Sequence, residues 1–138
     1  MAEPISSLLR RSLEHLEDEV PDSYRLLVAA LGPMVVELDV DGEVFSLRGG
    51  ARLRVSDGAG QPAGARIATS RGAILDLLDA RLGLGEAVEI GTVRVRGPLD
   101  DVQRAHLALL AYVHAAVRAS SQPALLTELR AGAPCPSA

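Results

Sequence analysis

The sequence predicts an α+β domain: one mostly antiparallel sheet of five strands with helices packed on one face, in the order α-α-β-β-β-β-α-β-α. Three observations carry this prediction. Apolar residues recur at helical spacing through the N-terminal segment, the period then drops to two near Val36, and helical spacing returns for a long last helix after Gly97-Pro98.

The first helix spans 4–20. It places Ile5, Leu8, Leu9, Leu13, Leu16 and Val20 on one side and Arg10, Arg11, Glu14, Glu17 and Asp18 on the other, with Pro21 as its stop. Asp22 is suited to cap a second helix carrying Tyr24, Leu27, Val28 and Leu31, which Gly32-Pro33 ends. Val36, Leu38 and Val40 then alternate with Glu37, Asp39 and Asp41, the pattern of a half-buried strand. Asp41-Gly42 favours a two-residue type I′ turn, which sets Val40 opposite Glu43, Leu38 opposite Phe45 and Val36 opposite Leu47. Parity constrains the following turn. A two-residue Gly49-Gly50 loop would oppose Leu47 to Arg52, whereas a three-residue loop through Ala51 opposes Leu47 to Leu53 and Phe45 to Val55 and keeps one apolar face.

A Gly- and Pro-rich loop over 57–64 leads to a fourth strand over 65–69. Ser70 caps a helix over 71–82 whose stripe is Ile74, Leu77, Leu78 and Leu82. The stretch 84–90 is short and fits neither period clearly. A fifth strand over 92–96 turns Val93 and Val95 inward, and the last helix carries Asp100 and Asp101 in its first turn, near the positive end of its dipole. Residues 1–33 are therefore expected to be helices of the same domain, 34–118 its α+β core, and 119–138 a loosely held tail.

Composition bounds the function. The chain has 138 residues, 48% hydrophobic and 23% charged, with a net charge of −4. That is the profile of one ordinary globular domain. All fourteen basic residues are Arg, and Tyr24, Phe45 and Tyr112 are the aromatics. An acidic chain this poor in stacking groups is not expected to bind nucleic acid. The apolar runs are too short to span a membrane, the N-terminus does not read as a secretory signal, and the lone Cys135 forms no internal disulfide; a cytoplasmic location is expected.

Catalytic signatures are scarce, with no nucleophile elbow, phosphate loop or zinc-protease pair. His15, His106 and His114 have no clustered ligand partner, so neither a metal nor another cofactor is expected, and no enzymatic activity. His106 projects from the middle of a helix face formed by Leu99, Val102, Leu109, Val113, Ala116 and Val117. It is either a core histidine bonded to a carbonyl or the polar group of an internal cavity.

Three segments carry a resemblance to the sterol carrier protein type 2 domain family. They are Val35-Val36-Glu37-Leu38-Asp39-Val40-Asp41-Gly42, then Ala65-Arg66-Ile67-Ala68-Thr69 leading into Leu77-Leu78, and Gly91-Thr92-Val93-Arg94-Val95-Arg96-Gly97 before the last helix. The likeness covers about residues 34–118, and its motifs are patterns of small and apolar residues. It implies a five-stranded sheet covered by helices, with a hydrophobic tunnel between them for fatty acyl chains, sterols or other lipids. The ending Cys135-Pro136-Ser137-Ala138 lacks the peroxisomal Ser-Lys-Leu address and the arginine-only usage points to a bacterial member; two helices over 1–33 are too little for the winged helix that precedes this domain in some bacterial regulators, so a stand-alone member is expected.

The leading expectation is a non-enzymatic carrier or sensor that holds an apolar small molecule or lipid. Its sheet wall comprises Val36, Leu38, Phe45, Leu47, Leu53, Val55, Ile67, Val93 and Val95. Its helical wall comprises Ile74, Leu78, Leu109 and Val113, with His106 as the polar group. The alternative is an interaction module with a packed core, which binds a partner or forms a homodimer through Leu9, Leu13 and Leu16 of the N-terminal helix. A cavity above roughly 300 Å³ favours the first, a dense interior the second.

Overall fold

Proline and glycine set the boundaries of the first two helices in the computed structural model of the chain, which describes residues 4–58, 63–79, 81–120, 123, 124 and 127. Helix α1 (Ile5–Glu19) ends where Pro21 cannot continue it, and α2 (Pro21–Leu31) starts with that proline in its first turn. Asp22 does not cap α2. The helix begins two residues earlier than a cap at Asp22 implies, with Val20 at the cap position, which leaves Asp22 inside the first turn.

Strands β1 (Val35–Val40) and β2 (Glu43–Arg48) pair in the predicted register, Val40 with Glu43, Leu38 with Phe45 and Val36 with Leu47. Asp41 and Gly42 both take positive φ, 53° and 90°, as a type I′ turn requires. Strand β3 (Arg54–Asp57) departs from expectation: Leu47 faces Val55 and Phe45 faces Asp57. The slip is two positions, so parity survives while the loop lengthens. Gly49 N–H extends the ladder to the Met34 carbonyl, at 3.0 Å, and Leu53 N–H donates to the Tyr24 hydroxyl, at 3.1 Å. Leu53 is thereby held as a buried loop residue instead of a strand residue.

Strand β4 (Ala65–Thr69) lies parallel to β1, and β5 (Arg94–Arg96) runs antiparallel to β4. The order β3-β2-β1-β4-β5 makes a mixed, mostly antiparallel sheet. Between β4 and β5 stand α3 (Arg71–Leu78) and α4 (Leu84–Ile90); α5 (Leu99–Arg118) closes the fold. Ser70 caps α3 as expected, accepting from Ala73 N–H at 3.1 Å. The helix stops before residue 82 because Arg81 and Leu82 N–H both turn back to the Asp76 carbonyl. Helix α4 is an addition to the expected order, formed around the buried pair Leu84 and Ala87. It also delays β5, since Thr92 and Val93 N–H bond the Ala87 carbonyl and not the sheet.

One sheet face carries the core with the helices over it. The other turns Glu37, Arg66, Arg94 and Arg96 outward, with Arg66 and Glu37 paired at 3.3 Å. Among the described residues no helix is long and apolar enough to cross a membrane. Most of the tail, Cys135 included, lies outside the described residues.

Candidate functional site

Helix α1 brings its apolar face down onto the sheet on the β3 side, so Leu13 and Leu16 are buried and Leu9 is half-buried. These leucines are therefore not the free contact surface that the dimer reading needs. Burial of that face is the dominant gain available to an amphipathic helix, and the sheet is the nearest surface on which to achieve it. Polar contacts fix the helix at its rim. Glu43, just past the β1–β2 turn, accepts from Ile5 and Ser6 N–H at 2.8 and 2.9 Å, capping an α1 N-terminus whose own Pro4 offers no side-chain acceptor. The Arg10 guanidinium donates to the Val55 carbonyl at 3.2 Å and pairs with Asp57 at 3.2 Å.

Beneath α1 the layers do not close completely. A cavity of about 160 Å³ remains between β2-β1-β4 and the helices. Its floor includes Val36, Leu38, Val40, Phe45, Leu47 and Ile67; Ile74, Leu77 and Leu78 of α3 and Leu84 of α4 form one side, with Val93 beside them. Helices α1, α2 and α5 close it with Ile5, Leu8, Leu9, Leu13, Leu27, Leu31, Ala105, Ala108, Leu109 and Val113. Three hydroxyl-bearing residues, Ser12, Thr69 and Tyr112, interrupt this apolar wall, and among the described residues no charged one reaches it.

Ser12 Oγ and Tyr112 Oη lie 2.6 Å apart, joining α1 to α5 inside the apolar wall. Tyr112 as a whole is partly exposed, whereas its hydroxyl is enclosed. Burial pushes its pKa above the ordinary tyrosine value, a rise that the hydrogen bond to Ser12 partly opposes. The other shifted group is at the surface: the Glu17 carboxylate beside Arg52 raises the guanidinium pKa further.

Of the residues expected at the site, Val36, Leu38, Phe45, Leu47, Ile67, Ile74, Leu78, Val93, Leu109 and Val113 come together on the cavity wall. Leu53, Val55, Val95 and His106 do not. Val55 and Val95 belong to the edge strands β3 and β5, while the cavity lies over the three central strands. Leu53 is buried in the loop before β3. His106 is partly exposed, because α5 is rotated by about one residue from the expected face. Its buried line is Ala105, Ala108, Ala115 and Ala116, and Leu99 and Val117 are 72% and 52% exposed. Alanines let α5 approach α2 closely, and that contact outweighs the burial of a few larger residues. Sequence reasoning missed the wall contributed by α1, together with Ser12 and Tyr112. The signal was available in α1, where Ser12 shares the stripe of Leu8 and Leu16 at helical spacing.

No protein-family model matches the chain, and no curated protein matches it in sequence. Solved structures do match. A structure described as "UbiJ-SCP2 Ubiquinone synthesis protein" is similar with a TM-score of 0.54 and 22% identity, over 78% of this chain and 87% of that one. The sterol carrier protein domain 2 of Helicoverpa armigera gives 0.55 and 14%, over 75% and 84% of the two chains. The apo form of sterol carrier protein 2 from Yarrowia lipolytica gives 0.54 and 14%, over 78% and 88%.

Proposed function

We propose that this chain, which has the sterol carrier protein 2 fold, holds an apolar ligand in the cavity between its sheet and helices α1, α3 and α5, as a carrier or a sensor. One observation carries the reading: a space over the central strands whose wall is mainly apolar and to which no charged residue among those described contributes. Such a wall attracts hydrocarbon by area alone. A guest burying roughly 200 Å² gains about 5 kcal/mol before association costs.

The volume of about 160 Å³ lies below the roughly 300 Å³ at which pockets begin to enclose drug-sized ligands. A short chain therefore fits the space as it stands, and a long acyl chain or sterol enters by lifting α1, the helix held over the cavity by Glu43 and Arg10 at its rim and by the Ser12–Tyr112 bond in its wall. The cytoplasmic, non-enzymatic reading stands beside this. With His106 off the wall, no imidazole, carboxylate or thiol among the described residues faces the cavity to serve as a general base.

Native mass spectrometry after mild purification, followed by solvent extraction, should reveal a bound apolar molecule, and the emptied protein should take up a fluorescent apolar probe saturably. Leu109→Trp, which fills the cavity from α5, should abolish that uptake with the fold intact. A clean apo mass with no saturable uptake overturns the reading.

A further inference from the structure

Three hydroxyls interrupt the apolar wall, and they are not equivalent. Thr69 Oγ1 donates to the Thr92 carbonyl at 2.9 Å, so its proton is committed. Ser12 and Tyr112 have each other, at 2.6 Å. Each hydroxyl carries one proton and two acceptor lone pairs, so a pair joined by one hydrogen bond retains a second O–H and spare lone pairs. Among the described residues no other group takes that second proton. The pair is withdrawn from solvent as well: Ser12 is only 4% exposed. A buried donor left open in an apolar wall is a cost to the empty protein and a contact that a suitable guest can complete.

We propose that the Ser12–Tyr112 pair is the head-group site of the cavity, and that it selects apolar ligands ending in one neutral oxygen, a hydroxyl or carbonyl, over those ending in a carboxylate. The proposal rests on the cavity-binding reading and narrows it to a ligand class. A neutral oxygen accepts the open O–H, and an alcohol also donates to a spare lone pair, so donors and acceptors balance. A carboxylate at the same place is stripped of water with no cation to meet it. Among the described residues no arginine lies on the wall, and Arg10 of α1 is turned outward to the Val55 carbonyl and Asp57. The pair also takes one member from α1 and one from α5, so a bound head group sits at the seam between the covering helix and the core.

Three ten-carbon compounds, decanol, decane and decanoate, test this at neutral pH by displacement of the neutral dye N-phenyl-naphthylamine. Decanol should bind about tenfold more tightly than decane, the gain of one well-made hydrogen bond, with decanoate weakest. Tyr112→Phe leaves the Ser12 hydroxyl in place and should weaken decanol only in part, whereas the double variant that adds Ser12→Ala should bring decanol down to the level of decane while leaving decane itself unchanged; thermal melts check that both variants fold. Decanoate binding as tightly as decanol overturns the head-group assignment, as does a double variant that still binds decanol more tightly than decane or weakens the two equally. Failure of dye and all three compounds to bind overturns the cavity reading, and this inference with it.

Discussion

At the scale of single residues, the tightest constraint is a backbone one. A Cβ placed on Gly49 would come within 1.8 Å of the Gly32 carbonyl oxygen, closer than any side chain can sit against main chain. Gly49→Ala must therefore separate the α2–β1 corner from the β2 end, and denaturant unfolding should record a loss of about 3 kcal/mol. Gly72 is the contrast. In the first turn of α3 an added methyl meets only Ser70 Oγ at 3.9 Å, so Gly72→Ala should stabilise by about 0.5 kcal/mol. Tyr112 supplies a pH signature. Its folded pKa is raised by burial, so fold and unfolded chain are both protonated below about pH 10 and the phenol adds no pH dependence there. Above that the unfolded chain ionises while the fold keeps its proton, and stability falls as pH rises toward the folded value. Above about pH 10 the wild type should lose stability more steeply than Tyr112→Phe, as chemical denaturation at stepped pH will record.

At the scale of elements, α1 depends on a cap borrowed from a distant hairpin. Glu43 serves two α1 amides from 38 and 37 residues away, and Pro4 cannot substitute for it. Glu43→Ala should cost about 1 kcal/mol and raise amide hydrogen exchange in the first turn of α1 before the rest of the helix. Glu43→Gln, which keeps an acceptor, should lose less. On the outer sheet face Arg66 and Arg96 stand directly opposite one another on β4 and β5, where like charges repel. Arg96→Glu should stabilise by about 0.5 kcal/mol at low ionic strength, a gain that melts in roughly 1 M salt should erase. Elements were legible in the sequence in proportion to how local their determinants are. The β1–β2 register follows from two turn residues and period-two alternation, and α3 from Ser70 and its stripe. The two-residue slip of β3 was not legible, because it depends on the Tyr24 hydroxyl meeting a backbone amide from another element.

For the molecule as a whole, the order of periods along the chain was enough to establish an α+β fold with a mostly antiparallel sheet and one apolar face. Alternation and helical spacing act over a few residues, so they survive whatever packs against them. Where the layers meet without filling was a different matter. The cavity exists because α1 lies across the sheet, α5 turns its alanines toward α2, and the edge strands stay clear of the centre; none of these follows from a neighbour in sequence. Ser12 and Tyr112 are 100 residues apart in the chain and 2.6 Å apart in space. Local chemistry wrote the elements into the sequence, whereas helix rotation and long-range contact, governed by the summed burial of all faces at once, produced the space between them.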